Sequence, residues 1–120
     1  GYATTSYVES LQGRFELDID TSTAITLSPS HKGKVLEIVP QSPVTLTINI
    51  NSLTEMGDIA YVDQMGSYEV EFVAGTGVAL LVNASRQLKT DGKYSRVAIQ
   101  KVNTLNNDQG YRIFGELKSA

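Results

Sequence analysis

Between Gly92 and Leu117 the chain reads GKYSRVAIQKVNTLNNDQGYRIFGEL, two runs of strand character around a polar insert. Val97 and Ile99 share one face of the first run, with Ser95 and Lys101 at its ends. Tyr111, Ile113 and Leu117 share one face of the second. Thr104–Gly110 carries almost nothing to bury and is rich in turn formers. Apolar residues at every second position mark half-buried strands, and two such runs around a turn-rich insert make a β-hairpin that closes the chain. The rest of the sequence must then supply strands that assemble against it.

Upstream the same pattern recurs. Arg14–Asp20 alternates, with Phe15, Leu17 and Ile19 expected to face in and Glu16, Asp18 and Asp20 to face water. Thr23–Ser28 continues as a short strand with Ile25 and Leu27 inward. Lys34–Val39 is apolar on both faces. Val44–Ile50 alternates again, presenting Val44, Leu46, Ile48 and Ile50 to the core. Asp58–Asp63, Tyr68–Ala74 and Val78–Asn83 are three more strands. Met65-Gly66-Ser67 and Gly75-Thr76-Gly77 read as tight turns, with glycine available for positive φ. Arg86–Asp91 reads as a connection with room for one short strand. These runs predict an all-β fold, an antiparallel β-sandwich or barrel of about eight or nine short strands.

The only helical stretch is Thr4–Gly13. Ser6 and Glu9 have the spacing of a capping box, Tyr7, Val8 and Leu11 lie near one stripe, and Gly13 is a stop. A helix this short is marginal alone and must pack on something. The expected division is a helical or linker segment over residues 1–13 and a β-sandwich domain over residues 14–120. At 120 residues the chain makes one domain with a single core.

Composition excludes several classes. Cysteine is absent, so there is neither a disulfide framework nor a thiolate metal site. The net charge is −3 and the basic residues are scattered, so the footprint that nucleic-acid binding needs is missing. No apolar run approaches the ~20 residues of a membrane helix, and the polar start GYATTSY does not read as a signal peptide.

Candidate chemistry is sparse. Asp18-Ile19-Asp20-Thr21-Ser22 resembles the start of a phosphatase D-x-D motif, but that chemistry needs a parallel α/β frame. The same residues lack the glycine and the distal glutamate of a Ca²⁺ loop. Their expected role is the wet face of a strand. His31 is the only histidine; no nucleophile or carboxylate is placed for a triad and no second ligand for a metal, and it reads as an exposed loop residue. Ala74-Gly75-Thr76-Gly77-Val78 begins like a dinucleotide fingerprint but lacks the third glycine and the helix, and reads as a hairpin turn. Asn83-Ala84-Ser85 is a glycosylation sequon, meaningful only in a secretory pathway. With no acid–base pair or nucleophile to nominate, the expectation is a non-enzyme without cofactor or metal.

Aromatic and two-faced strands carry the remaining signal. The six tyrosines, Tyr2, Tyr7, Tyr61, Tyr68, Tyr94 and Tyr111, exceed what core packing requires. A tyrosine ring can stack on a sugar while its hydroxyl bonds the rim, or half-bury in the sandwich. Phe114, Leu81 and Tyr61 each sit opposite a core-facing neighbour. Their strands are either central in a two-sided core or meet another chain. The expected oligomer interface is Tyr7, Val8, Leu11, Tyr61, Leu81 and Phe114.

Ala3-Thr4-Thr5-Ser6-Tyr7-Val8-Glu9 resembles the A-T-x-x-Y-V-acid segment of bacteriophage tail-fibre proteins, which often introduces a helical piece joining modules. The Leu17-Asp18-Ile19-Asp20 strand, the Thr/Ser-rich strands after it, Gly57-Asp58 at a strand start, Gly75-Thr76-Gly77-Val78 at a turn and the final Phe114-Gly115-Glu116-Leu117 are similar to the order in fibre and adhesin modules. Where that pattern often carries Trp in the last strand, Tyr111 and Phe114 stand here. The resemblance implies a virion structural or receptor-binding module, trimeric, with other virion proteins and a host-surface glycan as partners. It carries over no catalytic residue. The alternative is a carbohydrate-binding or adhesin domain on or secreted from a bacterium.

Overall fold

The structure, a computed structural model, describes residues 14–102 and 109–120. The helix expected within Thr4–Gly13 lies outside these residues, as do Tyr7, Val8 and Leu11. The described chain forms β1 (Leu17–Asp20), β2 (Ala24–Thr26), β3 (Val35–Ile38), β4 (Val44–Ile48), β5 (Ile59–Gln64), β6 (Val70–Ala74), β7 (Ala79–Leu81), β8 (Arg86–Thr90), β9 (Arg96–Val102), β10 (Gly110–Gly115) and β11 (Leu117–Ser119). A 3₁₀ turn at Pro29–His31 is the one helical element among the described residues.

Two open sheets result. The first runs β1-β3-β5-β9-β10-β7 and the second β11-β8-β6-β4-β2. Up to β6 the chain alternates between them. Odd strands enter the first sheet and even strands the second, and each new strand pairs in parallel with the one two back. This winding solves the parallel-strand problem, because two parallel neighbours need a long crossover. Here the crossover is a strand of the opposite sheet. From β8 onward β8 pairs antiparallel with β6, β9 with β5, β10 with β9 and β11 with β8, while β10 pairs in parallel with β7 on its other side.

The core lies between the sheets. Leu36, Ile38, Val62, Val97, Ile99 and Ile113 of the first sheet face Ile25, Leu46, Ile48, Val70, Phe72 and Leu117 of the second. The alternation seen in sequence places these residues, and the β9–β10 hairpin pairs in register from Val97↔Gly115 to Val102↔Gly110.

Several expectations need correction. The fold is mixed parallel and antiparallel rather than antiparallel, its sheets are not closed into a barrel, and the strands exceed the expected number. Face alternation reports which side a strand buries and says nothing of its neighbour's direction. The short strand for which Arg86–Asp91 left room is present as Arg86–Thr90, although its side chains, exposed at Arg86 and buried only at Thr90, show little alternation. The Met65-Gly66-Ser67 and Gly75-Thr76-Gly77 turns are not hairpins, since the strands they join lie in different sheets. Ile50 lies past the end of β4 and is exposed.

The largest reversal is at β1. Leu17 and Ile19 are 55% and 69% exposed, and Phe15 is also exposed. The register pairs Asp18 with Leu36 and Asp20 with Ile38, which puts the acids on the core-facing row and the apolar residues outside. At the sheet edge this row runs past the end of the core, so the carboxylates stay half-exposed. A one-residue phase change moves every side chain to the other face, and an edge strand has only one neighbour to set that phase.

Leu117 belongs to the second sheet, not to the hairpin strand that precedes it. Gly115 makes the passage at φ +118, and a Cβ there would stand 2.7 Å from the Arg96 carbonyl oxygen. Gly115→Ala is expected to destabilise the domain by about 1–3 kcal/mol through backbone strain, with the clash added. A urea-denaturation midpoint unchanged from wild type would refute this.

Candidate interaction face

The outward face of the first sheet is built by the side chains that the core leaves over. Its central row runs Leu17, Val35, Tyr61, Ala98, Phe114 across β1, β3, β5, β9 and β10, neighbours by strand register. One flanking row runs Ile59, Gln100, Arg112, Leu81. The other runs Ile19, Glu37, Asp63, Arg96. Of the expected interface residues, Tyr61, Leu81 and Phe114 therefore come together on one face. They are joined by Leu17, Ile19 and Phe15, whose alternation predicts a core-facing row.

The face is aromatic at its middle and charged at its margin. The Phe15 and Tyr61 rings meet with centroids 5.3 Å apart. The Arg96 guanidinium lies 5.9 Å from the Tyr61 ring centroid and that of Arg112 lies 4.3 Å from Phe114, within cation–π range. Arg96 also holds Asp63 with two hydrogen bonds, Nε to Oδ1 at 2.6 Å and its terminal nitrogen to Oδ2 at 2.8 Å. That side-chain hydrogen bond, ahead of the opposing desolvation, raises the Arg96 pKa above its ordinary value. A fork of this kind fixes the guanidinium plane. An apolar, aromatic centre with Arg at its rim has the composition of a protein–protein interface.

The sequence candidates for chemistry fall elsewhere. Asp20 accepts a hydrogen bond from the Ser22 N–H at 2.7 Å, a local turn. His31 is half-buried rather than exposed, because its ring closes the 3₁₀ turn: Nδ1 accepts the Ser28 N–H at 3.0 Å. Burial lowers its pKa below the ordinary 6.5, against the opposing charges of Asp18 and Asp20. The folded state therefore favours neutral imidazole. Below pH 6.5 the unfolded chain takes up a proton that the native chain resists, so this contribution to stability is full above 6.5 and is lost as pH falls through the folded value. An NMR titration should place the His31 midpoint below 6.5; a midpoint at or above that value would contradict it.

Among the described residues, no group of three or more His, Cys, Asp or Glu could hold a metal ion. Several cations there face carboxylates, as in Lys32–Asp58, Lys34–Glu16, Lys89–Glu71 and Lys118–Glu69. Asn83 Oδ1 accepts bonds from the N–H and hydroxyl of Ser85 within the sequon. No helix among the described residues is long and apolar enough to cross a membrane. Gly75-Thr76-Gly77 is a crossover turn in which the Gly75 N–H donates to the Ile48 carbonyl at 2.8 Å.

Two tyrosines have roles that spacing did not disclose. Tyr111 is fully buried with its hydroxyl in a nest of backbone groups, and Tyr94 is a non-glycine residue at φ +72. Compared with known proteins, the sequence matches no family model and no curated protein significantly.

Proposed function

We propose that this chain is a non-enzymatic structural module of a bacteriophage tail fibre or related virion appendage, which acts by self-association and presents a surface to the host. The observation that carries the reading is the outward face of the first sheet, where Leu17, Tyr61, Phe114 and Leu81 form a contiguous apolar field. Leu17 and Leu81 are exposed there and Tyr61 and Phe114 half-buried, and an apolar face left open to water marks a contact surface. A two-sheet sandwich buries only the inner face of each sheet, so a second copy is the natural cover for the outer one. Three copies rather than two follow from the fibre resemblance, as does placement in the virion among other virion proteins.

Sedimentation equilibrium over a wide concentration range tests the reading. A mass of three chains is expected, and a monomer at the highest concentration would refute it. The second reading, a carbohydrate-binding or adhesin domain at a bacterial surface or secreted from it, is favoured by the exposed Tyr68 and Tyr94. A monomer that binds sugar would select it.

A further inference from the structure

The two sides of the outward face carry opposite charge. On the β7–β10 side stand Leu81 and Arg112, neighbours by register. On the β1–β3 side stand Leu17, Ile19 and Glu37, with Ile19 beside Glu37. Exposed apolar side chains concentrate at these two sides. Leu81 is 42% exposed, Leu17 55% and Ile19 69%, whereas Tyr61 and Phe114 at the middle are half-buried.

Neither charge finds an ion-pair partner in its own chain. Arg112 is exposed, with its guanidinium 4.3 Å from the Phe114 ring centroid, and it makes no ion pair among the described residues. Stacking covers the guanidinium plane and leaves the N–H fork at its edge, the geometry that takes a carboxylate in two parallel hydrogen bonds. Glu37 is half-buried and likewise makes no ion pair among the described residues. Its row neighbour Asp63 already holds Arg96 with two hydrogen bonds, and Glu116 is engaged by the Arg96 N–H at 3.0 Å. Arg112 and Glu37 cannot meet within one chain. Between their strands lie β5 and β9, so they stand three strand spacings apart, roughly 14 Å. They also lie in opposite flanking rows, on either side of the row of Tyr61 and Ala98.

We infer that these two sides form one contact between copies of the chain, with Arg112 of one copy forked onto Glu37 of the next and Leu81 packed against Leu17 and Ile19. This contact rests on the self-association proposed above and gives it its residues. Charge meets opposite charge and apolar meets apolar, so the surface that fits the β7–β10 side is the β1–β3 side of a second copy. Either side placed against itself would bring two guanidinium groups or two carboxylates together, which disfavours a like-on-like dimer. A contact between two different patches is head to tail, and such contacts close into a ring when the rotation allows. In a ring of three, each chain gives its Arg112 to one neighbour and its Glu37 to the other, and Tyr61 and Phe114 turn toward the axis.

The test is sedimentation equilibrium of the full chain, Arg112→Glu, Glu37→Arg and the combined variant. Each single reversal puts like charges together and should weaken association by about tenfold or more. The combined variant restores opposite charges in exchanged positions and should return to within about threefold of wild type. Such recovery separates a contact between the two residues from a structural role of either, because two independent folding defects add. Single variants that associate as wild type does would overturn the inference and leave self-association through this face standing. So would a combined variant no better than the weaker single one. A wild type that stays monomeric at the highest concentration would overturn both and give these sides to a different partner.

Discussion

Tyr111→Phe is expected to lower stability by about 1–3 kcal/mol, although it removes a single oxygen. That oxygen lies 3.0–3.1 Å from the carbonyls of Asn49, Ile50 and Leu53 and accepts the Leu53 N–H at 3.1 Å. These groups belong to the connection between β4 and β5, whose Leu53 and Ser52 are themselves buried. Ser52 helps the same loop by donating to the Leu27 carbonyl at 2.6 Å and accepting the Asn49 N–H at 2.8 Å. Without the phenol the Leu53 N–H is left buried and unpartnered, and a buried unpaired donor carries its full desolvation cost. Tyr111→Ala should lose about 3–5 kcal/mol, because the ring also fills the core. Urea denaturation of both variants measures the two effects, with the phenylalanine variant isolating the hydroxyl. A Tyr111→Phe midpoint equal to wild type would show that water or another group takes over the loop.

The second large effect is expected in association. Phe114→Ser and Tyr61→Ser each remove a ring from the outward face and leave the core row of Ala60, Val62 and Ile113 intact. Burying one such side chain is worth ~1.5–3 kcal/mol per chain. Each variant should therefore weaken self-association by roughly ten- to hundredfold per interface, since about 1.4 kcal/mol is one decade. Folding stability at concentrations where wild type is monomeric should change little. Sedimentation of wild type, the single variants and the double variant checks both statements. Association that survives the double variant would move the contact elsewhere. Unfolding of Phe114→Ser in dilute solution would place that ring among the domain's own supports.

What the sequence by itself determined is the face of most strands. Period-two alternation gave Val44, Leu46 and Ile48, and Val97, Ile99, Tyr111 and Ile113, to the core, and all are buried. The same pattern left Tyr61, Leu81 and Phe114 on the opposite side. This was legible because burial of apolar area is local to each strand and recurs at every second residue. Tertiary structure alone decided the rest. The alternation of β1 through β6 between sheets is a matter of which strand each run pairs with, and parallel and antiparallel neighbours bury the same faces. Arg86–Thr90 became a strand because β6 and β11 offered partners on both sides. The reversal at β1 has the same origin. Phe15, Leu17 and Ile19 alternate as a core strand should, but pairing with β3 set the register, and the edge position left the apolar row outside. Nor could spacing show the nest around the Tyr111 hydroxyl, assembled from a loop some sixty residues away, or the φ that turns Tyr94 to water. Both depend on long-range hydrogen bonds, whose partners no local pattern names.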